Sequence, residues 1–389
     1  MSRLEELIQQ YCPDGVEYKP LKDILRIRNG RDYKHLDKGL IPVYGSGGIM
    51  TYVDTPMYSK PSVLIPRKGS IDKLYYVDTP FWNVDTVFYT EIDTSIVVEK
   101  YVYYVLQKEH LEKLNTAGGV PSLTQGVLNE VLIPVPPLPV QEEIVRILDN
   151  FAELQAELQA ELQKRLQQYN YYRDKLLSFN ELNRGGQCVS VEWKKLGDIA
   201  TDWYRGAGIK RDEVSEEGIP CIRYGEIHTT YNIWFDVCVS HTDENKQPSK
   251  KYADYGDILF AITSEDIPFI GNSVAYLGTE RILVGGDIVV MKHNQNPKYM
   301  SYALSTSDAV MQKGKGKVKS KVVHTSVPSL KEIVVPIPSL EEQERITSIL
   351  DRFYTLTTDI TAGLPAEIEA RRKQYEYYRD QLLTFKQKA

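Results

Sequence analysis

The sequence predicts an α+β protein built as an internal two-fold repeat: two α/β domains separated by two long helices that pair antiparallel as a coiled coil. Three observations carry this. Segments of closely matching pattern recur about two hundred residues apart. Each recurring segment bears one apolar stripe at helical spacing, which needs a partner to cover it. The blocks between them differ from each other and hold short apolar runs flanked by turn residues, the mark of strands.

The repeat sets the organisation. Ile133-Pro134-Val135-Pro136-Pro137-Leu138, Gln141 and Ile147-Leu148-Asp149-Asn150-Phe151 return as Val335-Pro336-Ile337-Pro338-Ser339-Leu340, Gln343 and Ile349-Leu350-Asp351-Arg352-Phe353. Tyr169-Asn170-Tyr171-Tyr172-Arg173-Asp174-Lys175-Leu176-Leu177-Ser178-Phe179 returns as Tyr375-Glu376-Tyr377-Tyr378-Arg379-Asp380-Gln381-Leu382-Leu383-Thr384-Phe385. The chain of 389 residues therefore divides into a variable domain over 1–139, a helical spacer over 140–184, a second variable domain over 185–338 and a second spacer over 339–389. A duplication of this kind can place its copies about a pseudo-two-fold axis.

In chain order, Val16-Glu17-Tyr18-Lys19-Pro20-Leu21 opens the first block as Val191-Glu192-Trp193-Lys194-Lys195-Leu196 opens the second. The pattern predicts strands at 62–65, 257–262 and 287–291, and single helices over 97–114 and 298–312. Ile41-Pro42-Val43-Tyr44-Gly45 corresponds to a stretch within Ile219-Pro220-Cys221-Ile222-Arg223-Tyr224-Gly225. The proline runs at 134–139 and 336–338 are expected to continue neither strand nor helix and to mark domain edges. In the helices, Phe151, Leu154, Leu158 and Leu162 of the first and Phe353, Leu356, Ile360, Tyr375 and Tyr378 of the second are the expected seam. The first contains three direct tetrads, Ala152-Glu153-Leu154-Gln155 and two more to Gln163. A four-residue period overshoots 3.6 residues per turn, so its leucines drift around the helix. The run reads either as plain low-complexity coiled coil or as an adjustable spacer, in which one tetrad adds about 6 Å of rise. The second helix contains Gly363-Leu364-Pro365, expected as a break with Pro365 in a restarted first turn.

Composition and motifs exclude several classes. No Walker A sequence and no GxGxxG is present, Gly45-Ser46-Gly47-Gly48 being a tight turn. Pro136-Pro137 follows Val135 and lacks the Asn or Asp of an amino-methyltransferase loop. Pro13-Asp14 and Glu17-Tyr18-Lys19 carry the residue types of a nuclease motif, but two intervening residues cannot surround a metal with them. Four scattered cysteines without a CxxC pair and six unclustered histidines argue against metal and disulfide frameworks. There is no apolar signal core and no run long enough to span a bilayer, so a cytoplasmic protein is expected.

The formal net charge is −6, yet base is clustered where acid is spread. From Lys19 to Lys73 there are eleven Lys/Arg against five Asp/Glu, and from Lys292 to Lys331 eight lysines against one acid. The run Lys313-Gly314-Lys315-Gly316-Lys317-Val318-Lys319-Ser320-Lys321 has the composition of a phosphate-following loop. One basic cluster per variable block is what a bipartite DNA reader needs. Candidate DNA contacts are Arg28, Arg31, Tyr33, Lys34, Ser46, Arg67 and Lys68 in the first block, and Tyr204, Arg205, Lys210, Arg211, Arg223, Tyr224, Lys315, Lys317, Lys319 and Lys321 in the second.

These repeated motifs, with the opening Cys12-Pro13-Asp14-Gly15-Val16-Glu17-Tyr18, resemble the specificity subunit family of type I restriction-modification systems over essentially the whole chain. The resemblance implies two target-recognition domains, each reading one half of a split asymmetric site in double-stranded DNA. It implies helices that dock two methyltransferase subunits, which use S-adenosylmethionine to methylate adenine N6, and restriction motor-nuclease subunits. It implies no catalytic residue, no metal and no cofactor in this chain. Pro139 stands where the second copy has Glu341, a departure at the start of the docking helix. A coiled-coil scaffold without sequence reading is the alternative from another class, and a self-contained DNA enzyme is a second.

Overall fold

The computed structural model describes residues 2–115, 121–179, 190–247, 249–315, 322–358 and 363–388. The chain forms two compact units, Met1–Gln159 with Glu367–Ala389, and Ala160–Ala366. Each joins one variable block to part of both shared helical segments.

In the first unit the two chain ends are stitched together. The amide of Val16 donates to the carbonyl of Lys386 at 2.8 Å, and that of Lys388 to the carbonyl of Val16 at 2.9 Å. Gly15 sits at φ +105°, where a Cβ would stand 2.6 Å from the Lys386 carbonyl. Only glycine fits this crossing. Strand Tyr18–Pro20 pairs antiparallel with Leu132–Pro134. A four-stranded antiparallel sheet follows in the order Leu25–Asn29, Val87–Ile92, Ser62–Pro66, Tyr75–Val77. A smaller sheet orders Gly48–Val53, Lys38–Gly45 and Trp82–Asn83, the last pair parallel.

The second unit repeats the plan on two five-stranded sheets. One orders Ala200–Arg205, Ile288–His293, Ile258–Ala261, Ser273–Tyr276, Trp234–Phe235; the other orders Val214–Ser215, Ser240–Thr242, Ile219–Ile222, Ile282–Val284, Tyr252–Ala253. Its opening strand Glu192–Lys195 pairs antiparallel with Val334–Ile337.

The central strands are continuous apolar runs because both faces are covered. Val63 and Ile65 face one core with Tyr101 and Leu21, while Leu64 faces another with Val77 and Phe81. Likewise Ile258 and Phe260 face the helical side, and Leu259 and Ala261 the opposite core.

The shared segments form one unbroken helix, Leu138–Ser178, and a second that stops and restarts as Leu340–Thr358 and Leu364–Leu382. Pro365 falls in the restarted first turn, as the sequence predicts. Two expected single helices are interrupted instead. The segment over 97–114 is Glu99–Lys108 followed by a 3₁₀ turn Leu111–Leu114, with His110 between them in the left-handed region at φ 50°. The segment over 298–312 is Pro297–Leu304 and Ser307–Gly314, broken where the Thr306 hydroxyl accepts the Ala309 amide as a new N-cap. The proline runs also differ from expectation. Pro134 and Pro336 lie within strands, and Pro139 in the first turn of the long helix. The strands that hold these prolines each pair on one side only, so a missing N–H costs no ladder bond.

Candidate nucleic-acid interface

Each unit fixes its variable block to the shared helix by the same latch. In the first, Asp149 accepts from the Tyr104 hydroxyl at 2.6 Å and from Lys100 at 2.8 Å, while the Tyr101 hydroxyl donates to the Pro134 carbonyl at 3.0 Å. In the second, Asp351 accepts from Tyr302 and Lys298, both at 2.7 Å, and the Tyr299 hydroxyl donates to the Pro336 carbonyl at 2.8 Å. Gln141 and Gln343 are buried and complete the latch. Each accepts a backbone amide, from Val98 and Asn296, and donates to the carbonyl of Pro136 or Pro338. The repeated Gln and Ile-Leu-Asp-x-Phe motifs thus lock a rigid base beneath each variable domain. Their partners form a repeat that the sequence reading missed: Lys100-Tyr101-x-x-Tyr104 and Lys298-Tyr299-x-x-Tyr302.

On that base the sheets of both units converge at an equivalent apex. The amide of Gly30 donates to Val87 in one unit and that of Gly206 to Ile288 in the other. The amide of Arg67 donates to Thr86, and that of Ile262 to Asp287; each then accepts at its own carbonyl, from Leu123 and from Thr325. Lys68 bridges to Ser122, and Thr263 to His324. Val84 donates to the Tyr44 carbonyl as Gly285 does to that of Ile222. Arg67 and Lys68 therefore occupy the place of Ile262 and Thr263, and Ser46 that of Tyr224.

In the first unit the apex is basic. Ser46 lies in the two-residue turn between paired Gly45 and Gly48, and Gly69, beside Lys68, abuts its hydroxyl. Lys68 is exposed. Arg67 is held in place, its guanidinium 5.0 Å over the Phe88 ring and 3.2 Å from the Asn29 side-chain oxygen. Arg31 is exposed, and its carbonyl accepts the Trp82 indole N–H at 2.9 Å. Lys34 is exposed on a turn in which its amide reaches Asp32. Tyr33 packs against Val43, Val53 and Trp82. Arg28 is engaged elsewhere, bound to Glu91 at 3.0 Å.

In the second unit several predicted residues have local partners. Arg205 donates to the Gly286 carbonyl and to Asp287. Tyr204 donates to the Tyr252 carbonyl, and burial pushes its phenol up to about 12. Lys210 lies 3.7 Å from Glu213, and Arg223 3.4 Å from Glu226. Arg211 is exposed. Tyr224 lines a cleft with His228, Thr263, Ser264, Asp266 and Phe269. The cleft residues other than Tyr224 had no signal in the sequence, because long-range strand pairing brings them together.

The basic run starts differently from expectation. Lys313 is buried, its amine donating to the Leu304 carbonyl at 2.8 Å and the Ser273 hydroxyl at 3.2 Å. Desolvation lowers its pKa to about 7. Lys315 is exposed just past that helix, whereas Lys317, Lys319 and Lys321 lie outside the described residues.

Along the helices, Phe151 stacks on Tyr378 within the first unit, ring centres 5.4 Å apart, and Tyr172 on Phe353 within the second at 5.8 Å. Tyr375 packs on the first core, and Leu158 and Leu162 are half-buried. Leu154 and Leu356, expected in the seam, are exposed at 48% and 40%. For Leu154 the cause is the four-residue period, which rotates each successive leucine by about 40°. Ile360 lies outside the described residues. Among the described residues no group of His, Cys, Asp or Glu is placed to hold a metal, and no helix is long and apolar enough to cross a membrane.

Comparison with known proteins gives a consistent result. The family model "Type I restriction modification DNA specificity domain" matches twice, over 13–168 and 189–370. An Escherichia coli type I restriction enzyme specificity subunit is 32% identical over 309 residues, covering 76% of this chain and 73% of that protein. A Haemophilus influenzae protein named as a type I restriction enzyme specificity subunit is 31% identical, covering 98% of each. A chain from a structural study of complex assembly in a type I restriction-modification system shares the fold at a TM-score of 0.62 and 13% identity, covering 95% of this chain and 98% of that one. An S subunit from M. genitalium does so at 0.53 and 16% identity, covering 95% and 96%.

Proposed function

Because this chain belongs to the family of type I restriction-modification DNA specificity subunits, we propose that it is the non-catalytic reader of such a complex, recognising a split site whose two halves differ. The observation that carries this reading is the paired apex. One topological position occurs once in each unit, rests on the same latch, and bears unlike side chains: Ser46, Arg67 and Lys68 in one, Tyr224, Ile262 and Thr263 in the other. A scaffold without sequence reading has no need for unlike residues at matched positions. Exposed Arg31, Lys34 and Lys315 supply phosphate contacts, and side chains at each apex, Lys68 among them, read base edges. The helices dock two methyltransferase subunits, which bring S-adenosylmethionine and take the target adenine out of the stack, and restriction subunits join this assembly.

The test is selection of bound duplexes from a random pool by the chain assembled with its methyltransferase partners. The expected product is one gapped asymmetric motif, bound on the order of a thousandfold or more above random duplex. Uniform binding of all sequences would contradict the reading.

A further inference from the structure

The second unit's apex is a cleft of about 440 Å³ whose lining includes two carboxylates, at a position where the first unit presents Lys68. Phe269 and Tyr224 stand open at its mouth, 53% and 39% exposed. Thr263 and Ser264 are buried behind them, with the Thr263 hydroxyl 3.2 Å from His324 Nδ1 and its carbonyl 3.0 Å from His228 Nε2. Glu265 and Asp266 also line the cleft, are exposed, and have no ion-pair partner among the described residues. No lysine or arginine lines it among the described residues. The equivalent position in the first unit presents exposed Lys68, next to Arg67 in the chain.

A carboxylate facing a duplex is repelled by phosphate and is retained only where a donor meets it. In the major groove the donors are the N4 amino group of cytosine and the N6 amino group of adenine; guanine and thymine offer acceptors there. Aspartate and glutamate accept from such amino groups, and hydroxyls serve either role. The aromatic pair suits the flat face or edge of the same base. Arginine and lysine, in contrast, match the acceptor pair of guanine.

Resting on the reading of this chain as a DNA reader, we infer that the Tyr224–Phe269 cleft is the specificity-determining site of the second unit and takes an amino-bearing base, cytosine or adenine. The first apex takes guanine. Glu265 and Asp266 are the discriminating acceptors, and Tyr224 and Phe269 position the base.

The experiment measures binding of the assembled complex to a duplex panel in which each base pair of both half-sites is changed in turn. The double variant Glu265→Gln with Asp266→Asn is compared with wild type, with Lys68→Ala as the first-unit control. The expected result is a loss of about tenfold or more in discrimination at one position of one half-site, where wild type prefers cytosine or adenine in the strand read. Lys68→Ala affects a guanine in the other half. If adenine is the base, purine lacking the 6-amino group reproduces the loss; if cytosine, purine substitution elsewhere has no effect there. The two carboxamides are isosteric and exposed, so an unchanged melting temperature separates reading from folding. A wild type that selects a gapped motif, with both half-sites unchanged in the double variant, overturns this inference and leaves the reader function standing. A wild type with no preference at either half overturns both.

Discussion

Lys313 is an amine that folding strips of water. It donates to the Leu304 carbonyl and the Ser273 hydroxyl but has no carboxylate partner among the described residues, and burial lowers its pKa to about 7 from an ordinary value of 10.5. The unfolded chain holds this proton up to about pH 10.5, whereas the fold releases it above about pH 7. Between the two the unfolded state binds more protons, so stability rises with pH across that window, and the penalty is fully present below it. Lys313→Met keeps the length of the side chain and removes the titration. Its expected effect is higher stability at pH 7 and a flatter stability profile between pH 7 and 10.5, checked by urea unfolding at several pH values. A profile unchanged in slope would show that the lysine escapes to water. Burial of this kind is set by tertiary packing, which is why a lysine within a solvent-type run gives no local sign of it. The latch residues Asp149 and Asp351 were more legible: their motif was visible, but their partners Tyr104 and Tyr302 lie more than forty residues away.

At the scale of elements, the strands over 62–65 and 257–262 were readable because cores on both faces demand uninterrupted apolar residues. The helix breaks at His110 and Thr306 were not, since the apolar spacing continues through both while a left-handed residue and a hydroxyl cap redirect the chain. Pro336 within a strand was hidden for a similar reason, because only the pairing shows that its strand has a free side. The helix Leu138–Ser178 runs unbroken through the three tetrads, so removing Ala156-Glu157-Leu158-Gln159 shortens it by about 6 Å. The expected consequence is a recognised motif with the same half-sites and a gap changed by one or two base pairs, read by duplex selection with the shortened chain. The same gap in both proteins would remove the spacer role from this repeat.

At the scale of the molecule, the repeat makes each unit from both halves of the sequence: the first unit takes Glu367–Ala389 from the far end of the chain, and the Tyr18 hydroxyl donates to the Phe385 carbonyl at 3.0 Å. Each unit thereby carries a variable domain on a helix pair closed by the same aromatic stack, Phe151 on Tyr378 or Tyr172 on Phe353. The order of blocks was plain from the recurring motifs. The exchange of helix ends between units follows from the antiparallel pairing that the two apolar stripes imply, and Phe151 on Tyr378 and Tyr172 on Phe353 are its contacts. Two equivalent platforms with unlike apices suit the proposed reading of two different half-sites. The most direct test is to co-express this chain with its methyltransferase partners and map N6-methyladenine along the host DNA by single-molecule sequencing. The account predicts methylation at one gapped, asymmetric motif that disappears when this chain is omitted. Methylation spread over unrelated sequences, or a motif that persists without this chain, would contradict it.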